Sequence, residues 1–200
     1  MPHNFGRSLA FSHEHADAPW WEIIYRTAFG KLLSCASVRQ DGWAQRSGID
    51  RIVITETGRQ IKIDEKVRKE DWPDFLLERW SDEARRSPGW VQKPLDCEFV
   101  AYAFVPSATC YLFPTLTLQR AWQVYGRDWI GAYPEIRAYN EGWTTVSVAV
   151  PREVLLQALA NATMVRWAAQ SPQPEPKPDL KVVDRDMDIG PLFSFSRRST

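Results

Sequence analysis

The sequence predicts an α/β protein, with α+β as the alternative, built on one central mixed β-sheet flanked by helices. Three observations lead there. Helix-like and strand-like segments are interspersed, in the order helix, three strands, a strand pair, helix, strand, helix. The chain has 200 residues, enough to bury a full core as one domain. Its 44% hydrophobic and 25% charged content is ordinary for a globular protein.

The elements follow in order. Residues 1–16 read as an N-terminal arm and residues 17–170 as the domain. The run "DAPWWEIIYRTAFGKLLSCAS" predicts a helix: Asp17 and Pro19 give a start signal, and Ile24, Ala28 and Leu32 repeat on one face. "IDRIVIT" and "RQIKIDEKV" predict two strands around the turn "ETG". "DFLLERW" reads as a third strand, although "DFLLERWSDEARR" also passes as a helix, and "SPGW" reads as a turn. "CEFVAYAFV" and "TCYLFPT", joined by "PSA", predict a second hairpin. "TLTLQRAWQVYG" predicts a helix capped by Thr115 or Thr117 and stopped by Gly126. "TTVSVAV" predicts a strand, and "PREVLLQALANA" a helix with Pro151 in its first turn. Residues 171–200 read as a proline-rich linker and tail. "IGPLFSF" in that tail either packs on the domain or docks a protein partner.

Composition excludes several classes. The formal net charge is zero, which argues against a broadly basic nucleic-acid coat but permits a local basic groove. Three cysteines with no Cys-x-x-Cys pair make neither a disulfide framework nor a structural zinc site. His13 and His15 in "FSHEHAD" lack a third partner nearby and read as loop. Cys35 reads as a packing residue within the first helix. There is no Gly-rich phosphate loop and no Gly-x-Ser-x-Gly elbow. Without a secretory signal or membrane-length apolar run, a cytoplasmic protein with no membrane partner is expected; oligomeric state is not legible.

The chemistry concentrates in the first hairpin. A three-residue loop commonly ends in a left-handed residue, and Gly58 supplies it in "ETG". Thr55 then faces Arg59, and counting outward places Asp50 opposite Asp64. Side chains alternate, so Asp50, Ile52, Ile54, Gln60, Lys62, Asp64 and Lys66 share one face. Val53, Ile61, Ile63 and Glu65, with Arg51, take the other. A two-residue turn would instead set Asp50 against Glu65. Carboxylates facing each other across strands repel unless solvated or bridged by a cation. Hard divalent cations take oxygen ligands of this kind. A lysine beside them can hold an attacking water or steady charge developing on a phosphate. Glu78, in "LLERWSD", is a candidate accessory acid, against which stands a salt link to Arg51 or Arg79.

"GID" followed by "IDEK" resembles motifs II and III of the PD-(D/E)XK nuclease superfamily, which has the restriction-endonuclease-like fold. Asp50 matches the aspartate that begins one strand of that family's core hairpin, and Asp64-Glu65-Lys66 matches its acid-x-lysine strand. Across roughly residues 19–120 the resemblance implies an αβββαβ core and Mg2+-dependent hydrolysis of phosphodiesters, most often in DNA, with Mn2+ substituting. Asp50 and Asp64 would bind the metal, with the backbone carbonyl of Glu65. Lys66 would position the nucleophilic water, and Glu22 would bind a second metal or orient that water. Gln45 is a site-edge polar group in such a scheme. A catalytically inactive binding module on the same fold is the alternative.

Around this site lie Arg46, Arg51, Arg59, Lys62, Arg68, Lys69, Arg85, Arg86 and Lys93, which suit salt-dependent phosphate contact. Gln45, Arg46, Lys62 and Arg68 are the expected substrate contacts. Trp43, Trp72, Trp80 and Trp90 are interleaved with these charges and can stack on bases, although packing is the commoner role of tryptophan.

Overall fold

A computed structural model describes residue 15 and residues 17–163. The chain divides into two units, Met1–Val165 and Arg166–Thr200. All described residues fall in the first, so the expectations for the tail lie outside them.

The first helix, α1 (Trp20–Phe29), is shorter than the sequence predicts. Gly30 takes a positive φ of 83° and ends it. The following "LLSCAS" is instead strand β1 (Leu32–Ser37), so Cys35 lies on a strand. A short helix, α2 (Gly42–Arg46), follows; the Asp41 side chain accepts from the backbone N–H groups of Trp43 and Ala44.

The expected hairpin is present as β2 (Arg51–Thr55) and β3 (Gln60–Arg68). The Thr55 N–H donates to the Arg59 carbonyl at 2.9 Å, and Gly58 has φ 82°. These contacts fix the three-residue loop, and Arg51 pairs with Ile63. The Asp50 N–H donates to the Ile63 carbonyl at 2.9 Å, extending the ladder to the level of Asp64.

One central sheet is not what forms. Among the described residues there are two sheets. The first has five strands in the order β1-β2-β3-β6-β7, where β6 is Phe99–Phe104 and β7 is Thr109–Pro114. It is mixed, because β3 and β6 run parallel. The second has four antiparallel strands in the order β5-β4-β9-β8. Its strands are β4 (Asp74–Asp82), β5 (Ser87–Pro88), β8 (Glu135–Tyr139) and β9 (Thr144–Pro151). "DFLLERW" is thus a strand as read, but it belongs to this second sheet. No sequence signal had marked β8.

The helix α3 (Thr115–Ala132) runs past Gly126. Gly126 is buried against the Trp122 ring, so its lack of a side chain serves packing here and not a stop. Neither threonine caps the helix: Pro114 precedes it, and the Thr115 hydroxyl lies 3.3 Å from Cys97 Sγ. The helix α4 (Arg152–Thr163) closes the described region.

Two cores result. Trp21 and Tyr25 of α1 pack on Val53, Ile61, Ile63, Ala101 and Ala103. The other core joins Val100, Tyr102, Phe104 and Phe113 of the first sheet to Phe75, Leu77, Val148 and Val150 of the second, with Leu118 and Leu155 from α3 and α4. The Phe75 ring meets Tyr102, Tyr111 and Phe113 edge-on, each at 5.1 Å between centroids. The parallel register sets Asp64 beside Val100 and Lys66 beside Tyr102, while Glu65 lies beside Ala101. Asp64 and Lys66 therefore share the face turned toward the second sheet, and Glu65 the face covered by α1.

Candidate active site

Asp64 and Glu65 are adjacent in sequence and both buried, at 4% and 2% exposure, yet they serve opposite faces. The Glu65 carboxylate accepts from Arg51 Nε at 2.6 Å, Tyr25 Oη at 2.8 Å and an Arg39 guanidinium nitrogen at 3.1 Å. Burial pushes Glu65 above its usual carboxylate range, opposed chiefly by Arg51. Its side chain is a structural anion under α1. The expectation that Glu65 ligates metal therefore survives only for its backbone carbonyl.

The other face carries the candidate chemistry. Lys66 Nζ donates to Asp64 Oδ1 at 2.7 Å. With both carboxylates ionised, Asp64 Oδ2 is buried and has no hydrogen-bond donor. Burial raises the Asp64 pKa to about 6; Lys66 lowers it, and the neighbouring Asp50 carboxylate raises it further. Burial disfavours the Lys66 ammonium, but Asp64 and Asp50 outweigh that and hold its pKa above the usual lysine value. Asp50 Oδ2 accepts from the Glu65 N–H at 2.7 Å and lies 3.5 Å from Arg39. The opposed acids and the lysine that the hairpin count brought together are thus neighbours.

Glu78 is the clearest correction. Its carboxylate is not paired with Arg51, which holds Glu65, or with Arg79, which holds Glu135 at 2.7 Å. Instead Glu78 Oε1 accepts from the Trp90 N–H at 3.2 Å. The Lys66 ammonium sits 5.4 Å from the centroid of the same Trp90 ring. Burial raises the Glu78 pKa, and Lys66 is the largest influence opposing it. Gly89 makes this approach possible, because a Cβ there would collide with the Glu78 backbone carbonyl. Trp90 is 8% exposed, so it walls the site and offers no open stacking platform.

Other expected residues are placed elsewhere. Glu22 pairs with Arg26 at 2.6 Å, half exposed on α1, the side of Glu65. It is not brought to Asp50 and Asp64. Gln45 donates its side-chain amide to the Arg39 carbonyl. Arg68 reaches Tyr102 Oη at 3.1 Å and Asp74 at 3.8 Å, so it ties strands together and offers no free phosphate contact. Arg51 is buried with Glu65, and Arg85 lies 3.6 Å from Asp82. The expected basic collar is correspondingly thinner. Arg46 is exposed on α2, and Lys62, partly buried, shares the face of Asp64. Trp43, beside Arg46, is 55% exposed. Arg39 was missed by sequence reasoning: it lies in an irregular loop, where no periodicity marks which way a side chain points.

Do these residues fit a divalent cation? An orphaned buried oxygen on Asp64, opposite a second carboxylate, is a donor set that a hard cation satisfies. Among the described residues, no group of three or more histidine, cysteine, aspartate or glutamate side chains is placed to hold a metal. That is too few ligands for a structural zinc site. It is compatible with magnesium, which commonly uses one or two carboxylates and keeps several waters.

Among the described residues, no helix is long and apolar enough to cross a membrane. Comparison of the chain with protein-family models, with curated proteins and with solved structures gives no match.

Proposed function

We propose that this chain is a divalent-metal-dependent nuclease of the PD-(D/E)XK type, acting on phosphodiester bonds, with DNA as its substrate. The observation that carries the reading is Asp50 opposite Asp64, with Lys66 at 2.7 Å and a buried carboxylate oxygen left without a donor. The element order supports it: α1, β1, β2 and β3 supply an αβββ start, and β6 lies parallel to β3. The segment joining β3 to β6 contains β4 and β5 where the minimal core has a helix.

Asp50 and Asp64 would hold Mg2+ or Mn2+, with the Glu65 carbonyl completing the protein ligands. When bound, the metal would lower the pKa of its water and offset charge on the scissile phosphate. Lys66 would orient the attacking water, its ammonium kept charged by the surrounding acids. Trp90 limits water access from one side. Arg46 and Lys62 are the remaining candidates for phosphate contact.

A second reading has its own support. Arg39 beside Asp50 and Lys66 beside Asp64 already offset both acids without metal. That suits a nucleic-acid- or protein-binding module that does not cut. Calorimetric titration with Mn2+ and Mg2+ separates the two. The nuclease reading predicts a site that disappears in Asp50→Ala and Asp64→Ala; the binding-module reading predicts no metal heat in the native chain.

A further inference from the structure

Lys66 lies where two carboxylates can claim it. Asp64 holds it directly, at 2.7 Å. Glu78 approaches from β4 of the second sheet and shares Trp90 with it: the Trp90 N–H binds Glu78, and the Trp90 ring lies against the ammonium. Glu78 has Lys66 and Lys93 as its electrostatic partners. A cation that takes the orphaned Asp64 Oδ2 shares the carboxylate whose Oδ1 already holds the ammonium, so each positive charge weakens the other's hold on it. A lysine released there would sit buried beside an incoming positive charge, an arrangement that is costly without a counter-ion.

We propose that Glu78 is that counter-ion: when a divalent metal takes Asp64, Lys66 turns its ammonium from Asp64 to Glu78. The inference rests on the metal-site reading above and deepens it. It gives the second sheet a part in the site, and it makes Glu78 a positioning residue that acts through Lys66. Glu78 also takes up the accessory place that Glu22, on the other side of the sheet, does not reach. Lys93, like Lys66, opposes the effect of burial on the Glu78 carboxylate.

The test is a double-mutant cycle read by Mn2+ calorimetry on the full chain, with thermal unfolding as the folding check. Glu78→Gln keeps an acceptor for the Trp90 N–H and removes the charge. In the native background it is expected to weaken Mn2+ binding by about tenfold, the scale of an outer-shell partner. In a Lys66→Met background the same change is expected to alter affinity by less than about twofold. An equal loss in both backgrounds would make Glu78 a direct ligand or a distant charge, and would overturn the proposal. So would an unchanged affinity for Glu78→Gln alone. If the double variant does not fold, Lys66→Met alone must bind Mn2+ more tightly than the native chain; weaker binding would overturn the competition on which the idea rests. Absence of Mn2+ binding by the native chain would overturn both the metal-site reading and this inference. Binding with no dependence on Glu78 would sink this inference alone.

Discussion

Replacing Glu65 by Gln should cost far more stability than replacing its neighbour Asp64 by Asn. The Glu65 side chain is fully buried and accepts from Arg51, whose side chain is 6% exposed, and from Tyr25 and Arg39. Gln preserves volume and one acceptor but strands the Arg51 guanidinium without its anion. Removing one partner of a buried pair costs about 3–5 kcal/mol. For a domain of this size that corresponds to a fall in Tm on the order of 10 °C. Asp64→Asn gives up the pair with Lys66, whose side chain is 28% exposed, but also removes a desolvated charge opposed by Asp50. The net upward shift of its pKa says the charge disfavours the folded state, so this change should cost little or stabilise. Urea denaturation of the three proteins, with the slope compared to confirm equal surface exposure, reads both changes. A loss below about 1 kcal/mol for Glu65→Gln, or an equal loss for the two variants, would refute the division of the strand into a structural and a functional face.

Asp64 also sets a pH dependence. Its pKa rises from 3.8 to about 6 in the folded chain, so the folded state binds more protons through that window. Stability from this group is complete below the unfolded value and is lost as pH rises through the folded one. The advantage of Asp64→Asn over the native chain should therefore grow from roughly pH 4 to roughly pH 7; a constant difference would contradict the raised value. Glu22→Gln should leave Mn2+ affinity unchanged and cost under about 0.5 kcal/mol, because it breaks only an exposed pair on α1; a lost calorimetric site would return Glu22 to the metal. Gly89→Ala should destabilise by about 1–3 kcal/mol, because its Cβ meets the Glu78 carbonyl, and should weaken Mn2+ binding as Glu78 and Trp90 shift. Gly58→Ala should cost about 1–2 kcal/mol at φ 82° while leaving metal affinity unaltered, since the register outside the loop is held by the ladder.

The hairpin was legible because its information is local. One glycine at the third loop position fixed the register, and the register fixed the faces of Asp50, Asp64, Glu65 and Lys66. What failed was non-local. "LLSCAS" continues the periodicity of α1, and only Gly30 and pairing with β2 make it a strand. The second sheet depends on β4 meeting β9 across some seventy residues of chain, for which the β-branched pattern gives no partner. Glu78 could not be placed from sequence for the same reason: the turn at Gly89 and Trp90 packs on it, and Lys66 of the other sheet meets the same Trp90 ring. Arg68 looked like a phosphate ligand in the bare string because its anion, Asp74, lies on a strand of the other sheet, whereas the hairpin count had already put Arg51 on the face of Glu65, its partner.

The central claim is catalytic, and one measurement meets it most directly. Purified chain is incubated with circular duplex DNA, circular single-stranded DNA and RNA in Mn2+, alongside Lys66→Ala. The account predicts cleavage of a DNA substrate by the native chain, its abolition by chelator, and its loss in Lys66→Ala with Mn2+ binding retained. Intact DNA at every Mn2+ concentration that saturates the calorimetric site, or cleavage that persists undiminished in Lys66→Ala, would contradict it.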